Sequence, residues 1–161
     1  MKLSIHDASR SCILFFMLPA AVLCGCRQEP NYSKELKPLV DKYNEVWQSG
    51  NVEELDAIFD PAFVRHSDIA TSVEGLENLK TLITDFRAAY PDMKIVSLDE
   101  VYSKDRFAGR WTLSAAGAGI QVWGVNIIHF KNGKISEEWD AYDNLLFMAQ
   151  RGYTIMPPGQ F

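Results

Sequence analysis

The sequence predicts an α+β domain, with helices packed on one face of an antiparallel sheet. Three observations predict it. The N-terminal half spaces its apolar residues at helical intervals, the period drops to two after Pro91, and Asn132-Gly133 marks a tight hairpin. Helices first and sequence-adjacent strands afterwards give a sheet covered by helices on one side.

The leading residues stand apart from the fold. Lys2 and Arg10 precede or open an uncharged apolar run, CILFFMLPAAVL, from Cys12 to Leu23. A bilayer span needs about 20 apolar residues, so this shorter run suits the core of a secretory signal. The junction LCGC resembles a bacterial lipobox, with Leu23 as the aliphatic, Gly25 as the small residue and Cys26 as the lipidated one; Cys24 stands where Ala, Ser or Thr is usual. The expected organisation is a signal peptide over 1–25, a polar tether over 26–33 starting at a lipidated Cys26, and a single domain over 34–161. Arg27 occupies the place where an aspartate would retain a lipoprotein at the inner membrane. The expected address is therefore the cell envelope, at the outer membrane and facing the periplasm.

Cys12 and Cys24 leave with such a signal, so no disulfide framework is expected. The remaining chain holds 14 basic and 20 acidic residues, a net charge of −6. With that charge and no basic run, nucleic acid is excluded as a partner. Attachment to a membrane would come from the lipid alone.

Each element has its own signal. Leu36, Leu39, Val40, Tyr43, Val46 and Trp47 form one apolar stripe, and Pro38 predicts that the regular helix starts close to it. Gly50 ends that helix, and Asn51 with Glu54 reads as a capping pair for a second short helix through Phe59. AFVRHS predicts a short strand. A third helix is expected over Val73–Tyr90, with Leu76, Leu79, Leu82, Ile83 and Phe86 on one side and Pro91 beyond its end. MKIVSLDEVYS, RFAGRWTLSA, GIQVWGVNIIHF and GKISEEWD then read as four successive strands, and NLLFMAQRGY as a brief closing helix.

A type I′ turn at Asn132-Gly133 places Lys131 opposite Lys134. Continued without interruption, that register sets His129 against Ser136, Ile127 against Glu138 and Val125 against Asp140, all on one face. Glu137 and Trp139 fall on the other.

Taken in order, FVRH, VEGLENLKTLITDFRAAYPDMKI, FAGRWTL and HFKNGKISEEWDAYDNLLFMAQRGY resemble the SnoaL-like polyketide cyclase family. That family lies within the nuclear-transport-factor-2-like superfamily, and the likeness runs from about Tyr43 to Tyr153. It implies a cone: three N-terminal helices packed on a bent antiparallel sheet. It also implies a general acid/base aspartate just past the last strand, here Asp143, with a basic residue fourteen positions earlier, here His129. The chemistry implied is an intramolecular aldol ring closure, in which one carboxyl takes a proton from carbon and returns one to the carbonyl oxygen. A carboxyl in an apolar pocket suits both steps, because burial raises its pKa. Asp143 is equally suited to capping the last helix.

His66 matches a histidine of the family and is expected at the pocket mouth. Trp47, Trp111 and Trp123 are candidates for the pocket wall, and Asp140 for its rim. The chain departs from the family between Leu113 and Gln121, where SAAGAGI replaces a longer polar loop.

The 34–161 domain has two histidines and lacks the spacing of a zinc helix, a Gly-x-Ser-x-Gly elbow or a phosphate-cradling Gly-rich loop. No metal and no cofactor is expected. Two functions fit: cofactor-independent cyclase, isomerase or lyase chemistry on a small hydrophobic carbonyl compound, or non-catalytic binding of a small hydrophobic molecule or a protein. A homodimer paired sheet to sheet is compatible with both.

Overall fold

The computed structural model describes residues 31–67 and 72–154, together with 156 and 159. The expected signal, Cys26 and most of the C-terminal tail lie outside the described residues.

Helix α1 runs over Tyr32–Ser49 and buries Leu36, Val40, Tyr43, Val46 and Trp47 along its apolar stripe. It starts ahead of Pro38 and takes up Tyr32 and Ser33 from the expected tether. Proline is tolerated there because Pro38 and Lys34 are both exposed, so the Lys34 carbonyl that loses its N–H partner is left to water. Gly50, at φ 79°, closes the helix by donating to the Val46 carbonyl. The expected second helix is a 3₁₀ turn over Val52–Ala57, which buries only Leu55. Its cap is a backbone bond from the Glu54 N–H to the Asn51 carbonyl, and the Asn51 side chain makes no capping bond.

Strand β1 (Phe59–Ser67) and the two-residue β2 (Val73–Glu74) follow, then α2 (Leu76–Ala89). The expected third helix thus gives up its first residues to β2. β3 (Lys94–Tyr102), β4 (Arg106–Ala115), β5 (Ile120–Lys131) and β6 (Lys134–Tyr142) form the anticipated antiparallel meander, and α3 (Asn144–Gln150) closes it. The six strands lie in the order β2-β1-β6-β5-β4-β3. One pairing differs from an all-antiparallel sheet: β1 runs parallel to β6. Such a pairing needs a long crossover, and α2 with the whole meander supplies it.

The hairpin turn forms as its sequence dictates, with Asn132 at φ 53° and Gly133 at φ 75°. Lys131 faces Lys134 and Phe130 faces Ile135, but the register then shifts by one, so that His129 faces Glu137 and Ile128 faces Glu138. Ser136 is the extra residue of a β-bulge, and its hydroxyl donates to the His129 carbonyl at 3.2 Å. The predicted faces are therefore inverted beyond Ile135. Glu138 and Asp140 turn to the helix-covered face with Ile128 and Asn126, while Glu137 and Trp139 turn to the outer face with His129 and Ile127.

The core lies between α1, α2 and the inner face of the sheet. Leu55, Phe59, Phe63, Leu79, Ile83, Ile128 and Ile135 are sealed in it.

Candidate functional site

A cavity of about 310 Å³ opens against that core, lined by residues of α1, α2, α3 and all six strands. Its walls are mostly apolar and aromatic, with Tyr43, Trp47, Phe86, Phe107, Trp111, Tyr142 and Phe147 contributing rings. Two glycines set its shape. A Cβ on Gly124 would stand 2.3 Å from Cζ2 of Trp111 and 2.7 Å from the Ala141 carbonyl oxygen. A Cβ on Gly109 would stand 2.4 Å from the Phe107 ring. Bare backbone at these inward positions lets Trp111 and Phe107 lie against the sheet.

Five polar side chains gather on one side of the cavity. Glu138 and Asp140 are 2 % and 4 % exposed, an unusual burial for two acids on one strand. Arg65, from the adjacent β1, ties them together: Nη2 donates to Oδ2 of Asp140 at 2.7 Å, and Nε lies 3.4 Å from Oε2 of Glu138. Tyr43 of α1 donates its hydroxyl to Oε2 of Glu138 at 2.8 Å, and Nδ2 of Asn126 donates to Oε1 at 3.0 Å. The Arg65 guanidinium also sits 5.4 Å from the centre of the Trp47 ring, a cation–π contact.

These contacts fix the protonation preferences. Burial raises the pKa of Glu138, with Asp140 adding to the rise and Arg65, Asn126 and Tyr43 opposing it. Burial disfavours the charge of Arg65, but Glu138 and Asp140 outweigh it and hold the guanidinium more firmly protonated than usual. Burial likewise pushes the Tyr43 hydroxyl well above its ordinary value, so it remains a donor.

The sequence-predicted residues divide between the two faces. Trp47, Trp111 and Asp140 line the cavity. Trp123 does not: it is 52 % exposed on the outer face, because β5 points Val122 and Gly124 inward. His129 and His66 also stand on the outer face, where one carboxylate serves both. Nε2 of His66 lies 2.8 Å from Oε1 of Glu137, and Nδ1 of His129 lies 3.4 Å from Oε2. Both imidazoles pack on Trp139, with ring centres 4.7 and 4.6 Å away. Asp143 is the N-cap of α3, its Oδ1 accepting from the Leu146 N–H at 2.9 Å. Asp143 sits beside Trp123, whose carbonyl accepts its N–H, six residues along β5 from His129, which faces Glu137; the anticipated pair does not form.

Sequence reasoning missed Arg65, Glu138, Tyr43 and Asn126 as site residues. One signal was present: the fourteen-position offset that joins His129 to Asp143 also joins Asn126 to Asp140, and those two face each other across β5 and β6. Arg65 was visible in FVRH, but its partners lie on a strand more than seventy residues away.

The family model described as SnoaL-like polyketide cyclase matches residues 37–151. Among curated proteins, none matches the sequence. A Bacillus cereus protein assigned to the polyketide cyclases is similar in structure at a TM-score of 0.66 and 25 % identity, over 73 % of this chain and 80 % of that one. A Jannaschia protein assigned as SnoaL-like superposes at 0.68 and 15 % identity, over 80 % and 99 %. An epoxide hydrolase from M. tuberculosis superposes at 0.62 and 14 % identity, over 75 % and 91 %; at that identity the likeness concerns the fold.

Proposed function

The chain belongs to the SnoaL-like polyketide cyclase family, whose members support cofactor-independent cyclase and isomerase chemistry, and from that premise we propose that the cavity performs acid/base catalysis on a small hydrophobic carbonyl compound through Asp140. One observation carries the reading: Asp140 is a buried carboxylate on the wall of an apolar cavity, held by Arg65 through a single oxygen. The Oδ2 bond to Arg65 fixes the carboxylate's orientation, and Oδ1 is the oxygen left for the reacting proton.

In a ring closure, Asp140 takes a proton from the carbon between two carbonyls. The resulting enolate attacks a second carbonyl carbon of the same molecule, and the carboxylic acid returns its proton to the alkoxide formed there. No net proton is consumed. If the second carbonyl is absent, the same transfer to a different atom is an isomerisation. Glu138 acts as a positioning residue, holding Arg65, Tyr43 and Asn126 in place beneath Asp140. The cavity's volume lies at the small end of small-molecule sites, which suits a compact skeleton of one or two rings.

The test uses a hydrophobic β-diketone, 1-phenylbutane-1,3-dione, in deuterated buffer, with the protein-dependent loss of its central C–H signal followed by NMR. The wild-type chain should accelerate exchange, and Asp140→Asn should slow the protein-dependent rate by roughly 10²- to 10⁴-fold. Exchange no faster than in buffer, or an Asp140→Asn variant as fast as wild type, overturns the reading and leaves the binding-module alternative.

Two further parts belong to this reading. LCGC supports a lipid anchor at Cys26 holding the domain at the cell envelope, checked by the mass of the mature N-terminal peptide. The outer face exposes Val96, Val101, Trp123, Val125, Ile127 and Trp139, an apolar surface that a second copy of the chain would cover.

A further inference from the structure

The cations lining the cavity are already engaged while its acids outnumber the one cation beside them, and this bears on the class of molecule it accepts. This inference rests on the catalytic reading only for the identity of the site. Among the described residues, four charged ones contribute to the lining: Arg65, Arg110, Glu138 and Asp140. Arg110 is committed elsewhere, its Nε and Nη2 lying 2.7 and 2.6 Å from Oδ2 of Asp99, with both side chains largely in solvent. Arg65 is the remaining cation, and it is shared between two carboxylates at 2.7 and 3.4 Å. Among the described residues, no lysine or histidine lines the cavity. An anionic ligand would meet two carboxylates and find no uncommitted cation. Protonation of Glu138 would not change this, because Arg65 would still be engaged by Asp140.

A cation meets the opposite situation. Asp140 offers a carboxylate in a site of low polarity, where an opposite charge is attracted far more strongly than in water. Seven aromatic side chains line the same cavity, aromatic faces attract cations, and the wall already holds one cation this way in the Arg65–Trp47 contact. Neutral ligands gain from the apolar walls alone.

We infer that the cavity selects hydrophobic molecules by charge: it takes a protonated hydrophobic amine, its nitrogen beside Asp140, in preference to a carboxylate of the same skeleton, with the neutral analogue between them. Amines would therefore act as competitive ligands of the site, and acidic metabolites would be turned away.

Three probes share one skeleton: 2-naphthylmethylamine, 2-naphthylmethanol and 2-naphthoate. Each is titrated into the full chain at pH 7 by calorimetry, with no turnover involved. The amine should bind at least tenfold more tightly than the carboxylate, with the alcohol intermediate. Asp140→Asn should remove the amine's advantage and leave the alcohol within about twofold of wild type, whereas Asp143→Asn, remote from the cavity, should change none of the three. Should Asp140→Asn fail to fold, Ser97→Asp adds a carboxylate to the lining from β3 and should widen the gap between amine and carboxylate. The inference is overturned if the carboxylate binds as tightly as the amine, if none of the three binds, or if the order survives Asp140→Asn. Failure here with intact Asp140-dependent exchange of the β-diketone would remove the charge selection and leave the catalytic reading standing.

Discussion

Arg65→Met removes the cation that two buried acids share while keeping most of the aliphatic stem. In the wild type, Asp140 and Glu138 contact the guanidinium at 2.7 and 3.4 Å, and the Arg65 side chain is 13 % exposed against 3 % and 2 % for the side chains of the acids. Removing one member of so buried an ion pair leaves charge without compensation, at a cost of about 3–5 kcal/mol. With a denaturant slope of about 2 kcal/mol per molar urea, the unfolding midpoint at pH 7.5 should fall by roughly 2 M.

The pH dependence gives a second, sharper reading. Glu138 already has its pKa raised by burial, and Arg65 is the largest influence holding that rise down. Without Arg65 the rise grows, each further pKa unit being worth about 1.4 kcal/mol. A carboxyl raised in the folded state binds more protons folded than unfolded between its two pKa values. Stability is then fully present below the unfolded value and lost as pH climbs through the folded one. The variant should therefore recover part of its deficit at pH 5.5 relative to wild type. Urea midpoints of both proteins at pH 7.5 and 5.5 provide the check. A deficit below about 1 kcal/mol, or one that is the same at both pH values, refutes the buried Arg65 network as described.

Three other outcomes follow from the same geometry. Asp143→Ala should cost about 1 kcal/mol by thermal unfolding through loss of the α3 cap, Asp143→Asn much less, and neither should slow β-diketone exchange. Gly124→Ala should destabilise the chain by about 1–3 kcal/mol, because its Cβ meets both the Trp111 ring and the Ala141 carbonyl; the altered Trp111 environment should show in near-UV circular dichroism. Ile127→Lys on the outer face should abolish the proposed dimer in sedimentation velocity while changing the unfolding free energy of the monomer by no more than about 0.5 kcal/mol.

What the sequence revealed follows the range of the forces involved. The stripe of Leu36, Val40, Tyr43, Val46 and Trp47 and the Asn132-Gly133 turn are local signals, and each formed as read. Pro38 misled because its penalty depends on whether the freed carbonyl is solvated, a property of the folded helix. The bulge at Ser136 has no local mark: no glycine and no break in polarity announces it. It forms where Glu138 and Asp140 gain Arg65, Tyr43 and Asn126 as partners, and the first two of these come from elements outside the meander. That one unpredicted residue decided which β6 side chains share the inner face with Asn126 and Ile128, whereas Asp143 lies past the strand and is occupied as the cap of α3.

The parallel seam between β1 and β6 has a consequence during synthesis. It unites the first long strand with the last, so a growing chain emerging from the ribosome carries Arg65 for more than seventy residues before Glu138 and Asp140 exist. Until then the guanidinium has no buried anion to meet, and the inner face of β1 has no neighbour on its β6 side. Closure waits for the C-terminal strand, and contacts of such long sequence separation form slowly. A chain truncated before Asp140 would lack both the second half of this seam and the closest anion of Arg65, so the two ends of the domain become stable only together.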